Sequence, residues 1–175
     1  MKEGTLMDLI LKRRSVRKYT EEALTDEQIE AVVRAGLLAP SGKNAKPCRL
    51  IVVRDRAVLE KLPGIKAAGG AFLKDAAAAI VVSGDTRASD TWIEDCSIAL
   101  SFMMLAAAEQ GLGSCWTQVH LRKDAAGKDA EDNLRELLNM EPQLRTVGIL
   151  ALGIPQKEPE AHRPEDADFG QVRVV

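Results

Sequence analysis

The sequence predicts one layered domain of the α+β or α/β class over residues 1–175. Three observations carry that prediction. Helical and strand-like stretches follow one another as α-α-β-α-β-α-β-α-β. The strand candidates are short apolar runs without a charge, the pattern of buried strands. No repeat, low-complexity stretch or linker divides the chain. At 175 residues, 46% of them apolar and 29% charged, the chain is globular and long enough to bury its own core.

Leu6, Leu9 and Ile10 fall at helical spacing, and this first helix runs into Lys12-Arg13-Arg14-Ser15-Val16-Arg17-Lys18. Thr25 to Gln28 forms a capping box, behind which Ile29, Val32, Val33 and Leu37 make one apolar face. Two prolines, a glycine and an asparagine then shape a loop from Ala39 to Pro47. Leu50 to Val53 reads as a buried strand, followed by a short helical stretch through Leu62. Gly64 to Lys74 carries no clear period. Ala79 to Ser83 is a second buried strand.

The longest helix runs from about Trp92 to Gln110, and its apolar residues cover nearly the whole circumference. Such a helix is buried in a core or in a subunit interface. Gly111-Leu112-Gly113 stops it, and Ser114 to Val119 alternates like a strand. Ala130, Leu134, Leu137 and Leu138 mark another amphipathic helix. Val147 to Leu152 is a further buried strand in which Gly148 permits a neighbour's close approach. The tail is irregular and ends in Val172-Arg173-Val174-Val175, a β-prone terminus that needs a sheet edge.

Net charge is −2, with 24 basic and 26 acidic residues, so no global positive field argues for nucleic acid. Aromatic residues are only 3%, too few for a base-stacking platform. Three scattered cysteines and two histidines make a zinc site improbable. The first residues lack the apolar core of a secretory signal, and the longest apolar stretch is too short to span a bilayer. The expected compartment is therefore the cytoplasm, with no membrane partner.

The chemistry has to be found elsewhere. No Gly-x-Ser-x-Gly elbow and no P-loop occur, and Trp116 stands where a dinucleotide fingerprint needs its last glycine. Glu94 and Asp95 diverge on a helix. Cys115 reads as a small core residue, and His120 as a surface or capping histidine with proton donation as the alternative. What remains is the basic run at 12–18. Arginine forks and a serine hydroxyl suit a phosphate, although basic residues also gather where a helix ends. With no side-chain nucleophile in view, a bound cofactor would carry the chemistry.

Three stretches together resemble the FMN-dependent nitroreductase family. They are Arg13-Arg14-Ser15-Val16-Arg17-Lys18-Tyr19, the loop Ala39-Pro40-Ser41-Gly42-Lys43-Asn44-Ala45-Lys46-Pro47, and the turn Gly111-Leu112-Gly113-Ser114-Cys115-Trp116. Order and spacing match over nearly the whole chain, including Ala151 to Pro155 and Arg163-Pro164. The resemblance implies an α+β fold, a mixed β-sheet flanked by helices, in an intertwined homodimer with C-terminal arm exchange. Two FMN molecules would lie at the subunit interface.

By position, Arg13, Arg14 and Ser15 would hold the ribityl phosphate and Arg163 would close on it. Arg17 would lie towards the pyrimidine end of the flavin. Pro40, Ser41, Gly42 and Asn44 would contact the ring from the partner subunit, and Thr117 and Gln118 would sit near its reactive edge. The implied activity is hydride transfer from NAD(P)H through flavin N5 to a nitroaromatic, quinone or similar acceptor, by a ping-pong cycle. No metal and no catalytic side chain are implied. Lys46 replaces a usual glutamine, Cys48 a common aromatic, Gln118 a frequent glycine and Ala161 a frequent basic residue. The loop Thr86 to Asp90 is short where larger relatives insert a lid. Two competing readings stay open. One is a protein that stores, senses or hands on FMN with little turnover; the other is an interaction domain whose basic run is a solvated face.

Overall fold

The computed structural model of the protein describes residues 5–175, so the part of the leader reading that rests on residues 1–4 lies outside it. The elements come in the expected order. They are α1 (Leu6–Lys12), α2 (Asp26–Leu38), β1 (Cys48–Val53), α3 (Arg56–Leu59), β2 (Ala78–Asp85), α4 (Trp92–Glu109), β3 (Gly113–Gln118), α5 (Ala130–Leu138) and β4 (Leu144–Gly153). Turns of 3-10 helix at Leu62–Ile65 and Ala71–Asp75 fill much of the stretch that periodicity leaves undefined. Thr25 and Gln28 cap α2 reciprocally, as their spacing predicts, and Thr5 with Asp8 does the same for α1.

The sheet order is β1-β2-β4-β3, with every strand pair antiparallel. The parallel component of the mixed sheet is one bridge, Ser15 with Ser114, where the chain leaving α1 lies along β3. Alternation along β2 sends Ala79 and Val81 to one face, and Ala78, Ile80 and Val82 to the other. β4 divides Ile149 and Ala151 from Leu150 and Leu152 in the same way. α2 and α4 cover one face through Ile29, Val32, Leu100 and Met103. α3, α5 and the 3-10 turns cover the other through Leu59, Leu62, Leu73 and Leu134. Both faces are dry, which is why the central strands read as unbroken apolar runs despite being antiparallel.

Gly148 does what the sequence suggested. A Cβ there would stand 2.0 Å from Trp116 Nε1 and 2.7 Å from the Thr117 carbonyl oxygen. The indole ring can swing aside but the β3 backbone cannot. Gly148→Ala is therefore expected to cost about 1–3 kcal/mol of stability, read as a lower urea midpoint.

One expectation needs correcting, and two are left open by the single chain. β1 is an edge strand paired on one side only, so it is half-buried, with Arg49 and Val52 exposed. α4 buries Cys96, Ala99, Leu100, Met103 and Ala107 but leaves Ile98 and Phe102 in solvent, so its apolar circumference is covered on one side only. Val172 to Val175 join no strand, and Val174 is 91% exposed.

Candidate functional site

The basic run owes its shape to two anchors. The Val16 N–H donates to the Ser114 carbonyl at 2.9 Å, and the buried Tyr19 hydroxyl donates to the Val16 carbonyl at 2.6 Å. Val16 itself is buried, and the extended backbone then alternates around it. Arg13, Ser15 and Arg17 all act on the Cys115 thiol of β3. Burial pushes that thiol up, and the two guanidinium charges and the Ser15 hydroxyl do not outweigh it, so Cys115 is a protonated core residue. Arg14 turns the other way and donates from Nη1 to the Glu160 carbonyl at 2.6 Å.

Arg13 and Ser15 line a groove of about 340 Å³ together with Ser101, Met104 and Leu105 of α4 and Trp116 of β3. Arg17 holds its guanidinium 5.9 Å from the centroid of the Phe72 ring, within cation–π range. Among the described residues no carboxylate pairs with Lys12, Arg13, Arg14 or Arg17, whereas Arg54, Arg87, Arg135 and Arg145 each have one. Arg13 and Arg17 with the Ser15 hydroxyl between them suit a dianionic phosphate, whereas Arg14 feels the Asp166 carboxylate of the tail.

The tail returns to the end of α1 just before this run, since the His162 N–H donates to the Leu11 carbonyl at 2.8 Å. Arg163 arrives with it, but its guanidinium is 77% exposed and lies 3.7 Å from Asp166 rather than in the groove. The loop Pro40 to Asn44 is held elsewhere. Lys43 and Asn44 take left-handed backbone, and the Gly42 N–H donates to Asp95 Oδ1 at 2.8 Å. Asp95 is only 3% exposed, and its Oδ2 accepts from the Ser89 and Thr91 hydroxyls, each at 3.2 Å. Pro40 and Ser41 line a depression with Cys48 and Asp95, apart from the Arg13 groove. Within one chain, then, the loop and the basic run are not brought together.

Thr117 and Gln118 are tied to the chain segment that periodicity could not define. Lys66 Nζ donates to Thr117 Oγ1 at 2.6 Å and to the Gln118 carbonyl at 2.9 Å. The Thr117 hydroxyl donates onward to the Gly69 carbonyl at 2.8 Å, and Arg122 donates to Gln118 Oε1 at 2.8 Å. Burial first, and the Arg122 charge second, hold the Lys66 ammonium below the usual lysine range.

His120 is neither a free surface group nor a cap. Its Nδ1 lies 2.7 Å from Glu131 Oε1, and its ring meets Trp92 edge-on. Glu131 is buried and also accepts from Arg145 Nε at 2.6 Å, Arg145 Nη2 at 3.0 Å and the Thr146 N–H at 3.2 Å. This network braces α5 against β4. Among the described residues no group of three His, Cys, Asp or Glu side chains is placed to hold a metal.

The model of the nitroreductase family matches residues 10–70 and 63–154 of this sequence. The chain belongs to the nitroreductase family. A curated relative from Archaeoglobus fulgidus, provisionally named an NADH dehydrogenase/NAD(P)H nitroreductase, is 37% identical over 164 residues, covering 91% of each chain. The FMN-dependent nitroreductase from Clostridium difficile superposes with a TM-score of 0.93 at 37% identity, over 96% of this chain and 98% of that one. A provisionally named nitroreductase of Desulfovibrio desulfuricans, solved in complex with FMN, gives a TM-score of 0.77 at 26% identity over 99% of both chains. The α+β class follows with the family.

In this nitroreductase-family chain the motif residues divide into two groups. Arg13, Ser15 and Arg17 gather beside β3, and Pro40 to Asn44 gather at the N-terminal end of α4. Sequence reasoning missed Lys66 and Phe72, because the Gly- and Ala-rich stretch around them has no period. It also passed over Asp95, whose role comes from burial and three donors rather than from spacing.

Proposed function

We propose that this chain is an FMN-dependent NAD(P)H oxidoreductase. The observation that carries the proposal is Arg13, without a carboxylate partner among the described residues, beside Ser15 in a groove with Met104, Leu105 and Trp116 of a nitroreductase-family fold. Arg13, Arg14 and Ser15 would hold the phosphate, with Arg163 delivered by the tail, and Arg17 would face the pyrimidine end. FMN held there would supply two-electron hydride chemistry between NAD(P)H and a nitroaromatic, quinone or similar acceptor, in our reading a ping-pong cycle.

The protein's own part is to bind, orient and polarise. Cationic side chains near the cofactor favour its electron-rich form. Lys66 would fix Thr117 and Gln118, and Asp95 would fix the loop at Gly42, so that both surfaces meet the cofactor preorganised. No side chain needs to be a nucleophile.

The functional unit in this reading is a homodimer. It is supported by the exposed apolar residues Leu6, Met7 and Ile10 of α1, Leu37 and Leu38 of α2, and Ile98 and Phe102 of α4. Burying such area would release roughly 25 cal/mol per Å². The separation of Pro40, Ser41, Gly42 and Asn44 from the basic run fits a loop that serves the partner's cofactor, and the exposed terminus from Val172 fits an exchanged arm. No helix among the described residues is long and apolar enough to cross a membrane, and we take the cytoplasm as the working compartment.

Anaerobic mixing with NADH or NADPH is the test. Loss of the flavin absorption band with either is expected, and a band that survives both overturns the hydride-transfer assignment. The short loop Thr86 to Asp90 favours a second reading, an FMN-holding protein with little turnover. That reading predicts tight FMN binding together with a band that persists.

A further inference from the structure

We propose that Cys48 and Cys96 form a reversible disulfide under peroxide stress, making the start of β1 and the first turns of α4 a thiol modification site. In the reduced protein the two Sγ atoms lie 3.3 Å apart, although the residues are 48 positions apart in the chain. The approach is built by a missing side chain. Cys48 pairs with Gly84 across β1 and β2, and a Cβ at Gly84 would stand 2.8 Å from Trp92 and 3.3 Å from Cys96 Sγ. With hydrogen there instead, the start of α4 settles onto the strand pair and brings Cys96 down beside Cys48. A disulfide needs about 2.05 Å, so the sulfurs must close by about 1.3 Å, within reach of side-chain rotation.

The two thiols are unequal in the way a stepwise oxidation requires. Cys48 is half-buried and lines a depression of about 180 Å³ with Pro40, Ser41, Lys46 and Arg49, which admits a molecule the size of hydrogen peroxide. Cys96 is fully buried behind the contact with Cys48. In the reduced pair the Cys48 thiol donates to Cys96 Sγ, and on ionisation of Cys48 the same contact reverses and favours its thiolate, with Arg49 assisting against partial burial and the Asp95 carboxylate. The same contact and burial push Cys96 up. Its place on the depression makes Cys48 the attacking sulfur and leaves the buried Cys96 to resolve.

The chemistry balances with a peroxide as the two-electron oxidant. Cys48 thiolate attacks one peroxide oxygen, the O–O bond breaks, and the other oxygen leaves as water after taking a proton. Cys96 sulfur then attacks the Cys48 sulfenic sulfur, and the sulfenic hydroxyl leaves as a second water with the Cys96 proton. Two thiols and one hydrogen peroxide become one disulfide and two waters. The bond would tie the exit of the Ala39 to Pro47 loop to α4, one residue beyond Asp95, which already holds Gly42. The pair itself does not depend on the flavin assignment, but Pro40 and Ser41 line its depression and belong to the loop read above as serving the partner's cofactor, so an FMN-free sample run in parallel separates failure of the pair from cover by the cofactor.

The test uses the full-length, FMN-treated protein exposed to hydrogen peroxide, then denatured, alkylated and digested for mass analysis. Two of the three cysteines are expected to escape alkylation, with one cross-linked peptide pair containing Cys48 and Cys96, and dithiothreitol should restore both. Cys96→Ser should instead leave a Cys48 sulfenic acid that dimedone traps, while Cys115→Ser should leave the cross-link unchanged. The proposal is overturned if all three thiols stay alkylatable, if Cys48 accumulates as sulfinic acid without the cross-link, or if the linkage involves Cys115 or a second chain.

Discussion

Alanine at both Arg13 and Arg14 is expected to weaken FMN binding by about 3 kcal/mol, roughly a hundredfold or more, while leaving the fold intact. Each guanidinium offers charge-assisted donors to a phosphate, and neither is held by a carboxylate among the described residues. Removing them breaks no close ion pair but does take away the Arg14 bond to the Glu160 carbonyl, so a small loss of stability is expected beside the larger loss on the ligand. Fluorescence titration of the apoprotein with FMN, alongside a thermal melt, separates the two. Wild-type affinity in the double variant would remove the phosphate assignment. A single Arg163→Ala change should cost less, because that side chain is exposed and shared with Asp166. Binding should also weaken as salt rises, since the contacts are ionic.

Glu131→Gln is expected to destabilise the protein by about 3 kcal/mol, because one buried carboxylate serves Arg145, His120 and the Thr146 N–H at once. The loss stays at the low end for a broken buried pair, since Arg145 is 44% exposed and can turn to water. Burial pushes the Glu131 carboxyl up, but the bonds from Arg145 and His120 outweigh it and hold it below its ordinary value of 4.5. A depressed carboxyl contributes stability that is fully present above the unfolded value and disappears as pH falls through the folded one. Urea midpoints of the wild type should therefore fall as the solution is acidified below about 4.5, and the variant should lose that part of the slope. Equal slopes in the two proteins would show that Glu131 is not the group responsible.

Much of this architecture was legible before any coordinates. The capping box at Thr25, the stop at Gly111 and the tolerance marked by Gly148 are local chemistry, and local chemistry survives folding. The concentration of positive charge from Arg13 to Arg17 was equally visible, since guanidinium groups placed together repel and call for something to offset them. Burial was harder to read. β1 carries the same apolar run as β2, yet its place at the sheet edge leaves half of it wet, and edge position is a property of strand order. Lys66 and Asp95 were hidden for a related reason: each acts on a segment about 50 residues away, Lys66 on Thr117 and Asp95 on Gly42. His120 gained its partner Glu131 from a helix packed back over the sheet. Contacts of this kind have no periodic signature.

The anchoring of Val16 has a consequence for how this segment can vary in length. A Cβ on Gly113 would stand 2.8 Å from Val16 Cγ1, so the valine has one seat against β3. Residues on either side of it are sorted by parity, with Ser15 and Arg17 outward while Val16 points in. Inserting or deleting one residue between Lys12 and Val16 would exchange the partners of Arg13 and Arg14, turning one towards the tail and the other towards Cys115. A change of two residues would restore the sorting. The spacing between helix and valine is therefore a phase as much as a distance, and only even steps keep it.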